Sequence, residues 1–203
     1  MPRPDRSPER RRELAPVLAR AFAELGYRRA TTAELASRCG VQEKALYRLW
    51  PDKRAMFLAA LDQVFAESEA AWERLAREAG RGESSAERLL AHEAEHHGEH
   101  RLYRIVFAGL SETDDPAIRE ALAALYGRFQ RLIQGQLERH RRERREHHHK
   151  GRRRAAELEP ALAAWAIVGL GTVANIGREL ELLKARERSR LLGEAGALLL
   201  GGG

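Results

Sequence analysis

Apolar residues recur every three or four positions along almost the whole chain, and nowhere do they alternate with polar ones. That period belongs to amphipathic helices rather than half-buried strands, so an all-α fold is expected. Leu14, Val17, Leu18, Phe22 and Leu25 mark a first helix ended by Gly26. Pro16 falls inside it and predicts either a kink or a start near Glu13. Leu35 and Ala36 mark a short second helix, with Thr32 as its expected N-cap. Gly40, suited to a left-handed backbone, and Val41 then form a turn. Leu46 and Leu49 sit one turn apart on a short third helix that Gln42 opens. Asp52 is placed to cap a fourth, whose apolar face runs from Met56 through Phe57, Leu61, Val64 and Phe65 to Trp72 and Leu75. Gly80, Gly82, Ser84 and Ser85 predict a loop. Beyond it, helices are expected at about 85–99, 101–110, 115–148, 157–178 and 184–200, which makes about nine in all.

The stretch from Thr31 to Phe57 carries the most specific pattern. Two short helices separated by a glycine turn, with small Ala36 at their contact, make a helix-turn-helix, whose second helix enters a DNA major groove. The run from Tyr47 through Trp50, Lys53 and Phe57 resembles the tyrosine–aromatic–lysine signature of TetR-type transcriptional regulators. Ala21-Phe22, Leu25-Gly26-Tyr27 and Thr31-Thr32 fit the same family, and the likeness spans roughly residues 12–58. The resemblance implies a three-helix DNA-binding domain over 1–55 and a helical effector-binding and dimerisation domain over 56–203. Residues 1–12, rich in Pro and Arg, read as a flexible arm. It further implies a cytoplasmic homodimer on a double-stranded, pseudo-palindromic operator. Such a protein is usually a repressor released by a small-molecule effector, with no enzymatic activity and no cofactor.

On the third helix, Lys44 or Arg48 can donate to guanine, Gln42 can pair with adenine, and Ala45 can touch a thymine methyl. Glu43 can accept from a cytosine amine, or fold back on Lys44 or Arg48. The resemblance assigns phosphate contacts to Thr32, Tyr47 and Lys53, each a donor of the right chemistry. The family more often has Ser at position 42 and Thr or Ser at 45. Trp72, Tyr103, Phe107, Leu110, Leu125 and Phe129 are the candidates to line an effector pocket, and each serves equally well as core. Residues 160–176 are the most apolar segment. With Leu191 and Leu192 it predicts, on the family pattern, a dimer interface through Trp165, Val168 and Gly169. The same helices could instead form the monomer's core.

Charge sharpens this picture. Of a net charge of +6, residues 1–56 carry all: 13 Lys/Arg against 7 Asp/Glu, while residues 57–203 hold 23 of each. The excess lies on the segment with the DNA-reading pattern, as expected of a nucleic-acid binder. The single cysteine, Cys39, cannot form an internal disulfide and suits a reducing compartment. No apolar run is expected to reach the ~20 residues of a membrane span, and the Arg-rich first residues, lacking an apolar core, predict no signal peptide. His92-Glu93-Ala94-Glu95-His96 matches the HExxH pattern of zinc hydrolases, with His100 on the same expected helix face. Its flanks are polar, and no metal site is expected. The basic run 139–154 reads as a solvated helix end. A metallohydrolase using His92, Glu93 and His96, and a non-specific nucleic-acid binder using the basic run, are the rival readings.

Overall fold

The computed structural model describes residues 6–78, 84–147 and 157–201. The expected loop at Gly80–Gly82, the first five residues of the arm and residues 148–154 of the basic run lie outside them. The described residues hold helices and turns and no strand. In order they are α1 (Ser7–Leu25), α2 (Thr32–Arg38), α3 (Glu43–Leu49), α4 (Lys53–Arg77), α5 (Ser85–His96), α6 (Tyr103–Leu110), α7 (Pro116–His147) and α8 (Pro160–Glu179). A final contiguous stretch follows: α9 (Ala185–Arg190), a π-helical turn (Leu191–Ala195) and α10 (Gly196–Leu200). The chain divides into two compact units, one of residues 1–68 and 100–125, the other of 69–99 and 126–203.

In the first unit, Leu18, Phe22, Leu35, Leu46, Met56, Phe57, Ile105 and Ile118 are fully buried. Phe22 and Phe57 meet edge to face at 5.0 Å, and Tyr27 closes the cluster at 4.9 Å from Phe57. This geometry suits the aromatic quadrupole better than a face-to-face stack. α6 packs on α1, and a Cβ at Gly109 would stand 3.2 Å from Leu122 and 3.4 Å from Phe57. Pro16 does not delay the first helix: α1 runs unbroken from Ser7, so residues 7–12 belong to a helix rather than to an arm. Proline removes the donor for the Arg12 carbonyl, and Arg12 is exposed, so water can replace it. The early start has two supports. Pro8 fits a first turn, whose N–H groups are unpaired anyway, and Arg11 Nε donates to the Leu49 carbonyl at 2.8 Å.

The second unit centres on Ala86, Leu137, Ala163, Ala164 and Leu200. Ser84 and Glu87 form a reciprocal capping box at the start of α5, and the Glu159 carboxylate accepts from the N–H groups of Ala161 and Leu162 at the start of α8. A Cβ at Gly196 would clash with a methyl group of Leu90, so a side chain there would have to push Leu90 aside for the final stretch to keep its approach to α5.

Two expectations are corrected here. The basic run is not uniformly solvated: His140 and Arg141 are buried. Arg141 donates to the carbonyls of Leu158 at 2.6 Å and Leu199 at 3.0 Å, His140 Nδ1 pairs with Ser84 Oγ at 2.7 Å, and Arg144 donates to the Gly201 carbonyl. The two arginines satisfy carbonyls of other segments, which sequence spacing does not reveal. Second, α8 is long and apolar enough to cross a membrane by length and composition. One such helix is weak evidence of a span, and Ala163, Ala164, Ala174 and Asn175 pack inside the unit.

Candidate nucleic-acid interface

The helix-turn-helix is built as its sequence suggests, with one shift of role. Thr31, not Thr32, caps α2: its hydroxyl accepts from the Glu34 N–H at 3.2 Å. Leu35 and Ala36 are buried, Gly40 takes φ +64°, and the Val41 N–H reaches the Ala36 carbonyl at 3.0 Å. Leu46, Leu49 and Trp50 bury the inner side of α3. Its outer side leaves Gln42, Glu43, Lys44, Tyr47 and Arg48 exposed, with Ala45 half-buried among them.

Releasing Thr32 from capping gives its hydroxyl another partner. Thr32 Oγ1 donates to Glu43 Oε1 at 2.6 Å, and the Tyr47 hydroxyl donates to Thr32 Oγ1 at 3.3 Å. Glu43 therefore folds back on α2, not on Lys44 or Arg48 as the sequence suggested, because Thr32 offers a fixed neutral donor. Arg48 Nε instead reaches the Lys44 carbonyl at 3.3 Å.

Lys53 is half-buried. Its ammonium donates to the carbonyls of Tyr27 at 3.0 Å and Ala30 at 3.1 Å, and lies 4.6 Å from the Tyr27 ring centroid. An ammonium has three donors, so one is left for a phosphate. Asp52 caps α4 by accepting from the Ala55 N–H at 2.7 Å. Nearby arginines are engaged as well: Arg38 with Glu24 and Glu34, Arg28 with Glu112, and Arg54 with Asp115. Cys39 is partly buried, and burial pushes its thiol pKa up, which disfavours the reactive thiolate.

The remaining candidates separate by unit. Tyr103, Phe107, Leu110 and Leu125 belong to the first, where Tyr103 and Phe107 pack edge to face at 5.6 Å, Leu125 is buried and Leu110 is exposed. Trp72 and Phe129 belong to the second, 5.9 Å apart. A groove of about 280 Å³ that the sequence did not suggest lies in the second unit between Leu90, His140, Gly193 and Ala197. Trp165 and Gly169 are exposed on α8 and Val168 is half-buried. Leu191 is half-buried and Leu192 is buried within its own unit.

The HExxH tract takes no metal-binding form. Glu93 accepts from Trp72 Nε1 at 2.7 Å and pairs with His97 Nδ1 at 2.6 Å, while His97 Nε2 donates to the Gly171 carbonyl at 3.0 Å. α5 ends at His96, so His100 does not share its face with His92 and His96. Among the described residues no three His, Cys, Asp or Glu side chains converge on a metal-sized site.

The geometry defines an all-α protein with an N-terminal helix-turn-helix, and comparison with known proteins narrows the class. Residues 17–60 match the family model of the bacterial regulatory proteins, tetR family. The nucleoid occlusion factor SlmA of Pasteurella multocida is 44% identical over 57 residues. That match spans 28% of this chain and only 29% of the relative's own length. Solved structures share the whole fold. A TetR-family regulator from Cytophaga hutchinsonii is 12% identical with TM-score 0.75, covering 98% of this chain and 97% of its own. A TetR-family regulator from Rhodococcus sp. is 19% identical with TM-score 0.72, covering 95% and 99%. The regulator FadR from Bacillus subtilis, solved in complex with stearoyl-CoA, is 15% identical with TM-score 0.68, covering 94% and 98%. Residues 17–60 thus resemble the DNA-binding part of tetR-family regulators, and the chain as a whole shares the fold of solved TetR-family structures.

Proposed function

We propose that the protein is a dimeric transcriptional repressor that binds a pseudo-palindromic operator and is released by a small-molecule effector. The observation that carries the DNA-binding part is the outer side of α3, where Gln42, Lys44, Tyr47 and Arg48 stand exposed on a helix whose inner side is locked by Leu46, Leu49 and Trp50. Lys44 and Arg48 are the donors for guanine, Gln42 for adenine, and Ala45 the contact for a thymine methyl. Thr32, Tyr47 and the remaining donor of Lys53 serve phosphates.

The dimeric part rests on α8. Leu162, Trp165, Gly169, Val173, Ile176 and Leu180 are all exposed, spaced by three or four residues in one stripe, and nothing lies within 4 Å of a Cβ built at Gly169. An apolar stripe of this regularity supports a helix-on-helix contact with a second copy, which would hold two α3 helices about one DNA turn (~34–36 Å) apart. Val168 and Leu191 border that contact; Leu192, already buried, supports it from behind. The effector is a small molecule of unassigned chemistry, and the stearoyl-CoA in the Bacillus subtilis FadR structure supports the idea only by analogy of fold.

Selection of bound duplexes from a random pool tests the reading. The expected result is a palindrome with half-sites about 10 bp apart, bound by two chains. Tyr47→Phe should weaken binding to it. Recovery of no common sequence would reject the proposal.

A further inference from the structure

Thr32 has one hydroxyl proton, and that proton is directed at Glu43 Oε1, 2.6 Å away. Tyr47 adds its own, donating to Thr32 Oγ1 at 3.3 Å. The two hydroxyls assigned to phosphate thus form a relay that ends on a carboxylate. A carboxylate and a phosphate oxygen are both anionic acceptors, and one proton serves one of them. A phosphate arriving at Thr32 must displace Glu43, and the two anions then repel at short range.

The displaced carboxylate sits at the first position of α3, beside the bases that helix would read. In the major groove, guanine presents only acceptors, and thymine an acceptor and a methyl. Adenine's amine is flanked by the acceptor N7. Cytosine alone presents an amine donor without an adjacent acceptor of its own. We propose that Glu43 is a specificity-determining gate. In the free protein its carboxylate stands in for a DNA phosphate at Thr32 and Tyr47, and on the operator it moves to the N4 amine of a cytosine in each half-site. On other sequences it is left near phosphates without a partner, so Glu43 discriminates mainly by weakening wrong complexes. The inference rests on the DNA-binding reading above.

The test uses the full chain, wild type and Glu43→Gln, with thermal melting to confirm that both fold. Binding is measured to the operator selected by wild type, to the same operator with the contacted C·G pair changed to T·A, and to random duplex. Wild type is expected to lose about tenfold or more on the changed pair. Glu43→Gln is expected to lose less than twofold on it, and to bind random duplex severalfold more tightly than wild type. The proposal is overturned if no half-site position is fixed as C·G, or if Glu43→Gln keeps wild-type discrimination and random-duplex affinity. If wild type selects no operator at all, the DNA-binding reading itself fails and takes this one with it.

Discussion

The Lys53 ammonium lies 3.0 Å from the Tyr27 carbonyl and 4.6 Å from the centre of the same residue's ring. Together with the Ala30 carbonyl, this fixes the turn between α1 and α2 to the start of α4. Lys53→Met should therefore lower stability by about 1–3 kcal/mol, since charged hydrogen bonds and a cation–π contact are lost together. The urea midpoint of the full chain measures it. An unchanged midpoint combined with lost operator binding would assign Lys53 to DNA alone.

Arg141 bridges two carbonyls that belong to different segments, Leu158 before α8 and Leu199 in α10. Arg141→Ala strands both acceptors and should cost about 3 kcal/mol or more. Arg142→Ala, one residue away on the exposed side, should stay within about 0.5 kcal/mol of wild type. Equal effects of the two would return the basic run to a solvated role.

Acid should act through Glu93. Burial works to raise its pKa, but the hydrogen bond and charge of His97, the Trp72 N–H and the charge of His92 outweigh it, leaving the pKa below the ordinary 4.5. A carboxyl depressed in the folded state contributes stability that is fully present above its unfolded pKa and is lost as pH falls through the folded one. The wild-type urea midpoint should therefore fall as pH drops below about 4.5. Glu93→Gln should be less stable than wild type at pH 7 and lose less on acidification. A steeper acid limb in the variant would contradict the assignment.

On α8, Trp165→Glu should separate the proposed dimer without unfolding the chain, because the side chain is 48% exposed. A central aromatic anchor costs about 2 kcal/mol or more when lost, so dissociation should rise at least tenfold. Sedimentation equilibrium reads the change. Gly171→Ala serves as the contrast: its Cβ would press on His97 at 3.0 Å inside the same unit, so it should disturb folding rather than association.

The sequence revealed the elements whose signals are local. A 3.6-residue apolar period, glycines at two turns and Asp52 before α4 are all read within a few residues. Destinations of long side chains were not legible. Lys53 and Arg141 look like any solvated cation until the carbonyls they meet are brought in from 17 to 58 residues along the chain. Thr31 and Thr32 are chemically alike, and one residue of helix phase decided which caps α2 and which meets Glu43. Gly169 and Gly171 stand two residues apart on α8, yet their surroundings differ, one facing open space and the other a histidine, which the sequence does not distinguish.

The π-helical turn at Leu191–Ala195 carries one residue more than ordinary winding needs. Five residues so wound sweep nearly the same angle as four at 3.6 per turn, so a single deletion inside the turn would restore ordinary winding and leave residues 196–200 in nearly the same phase. Gly196 would still meet Leu90, and Leu198 would still face solvent. Loss of one residue there should thus be milder than loss of one within α10, where the winding holds no slack.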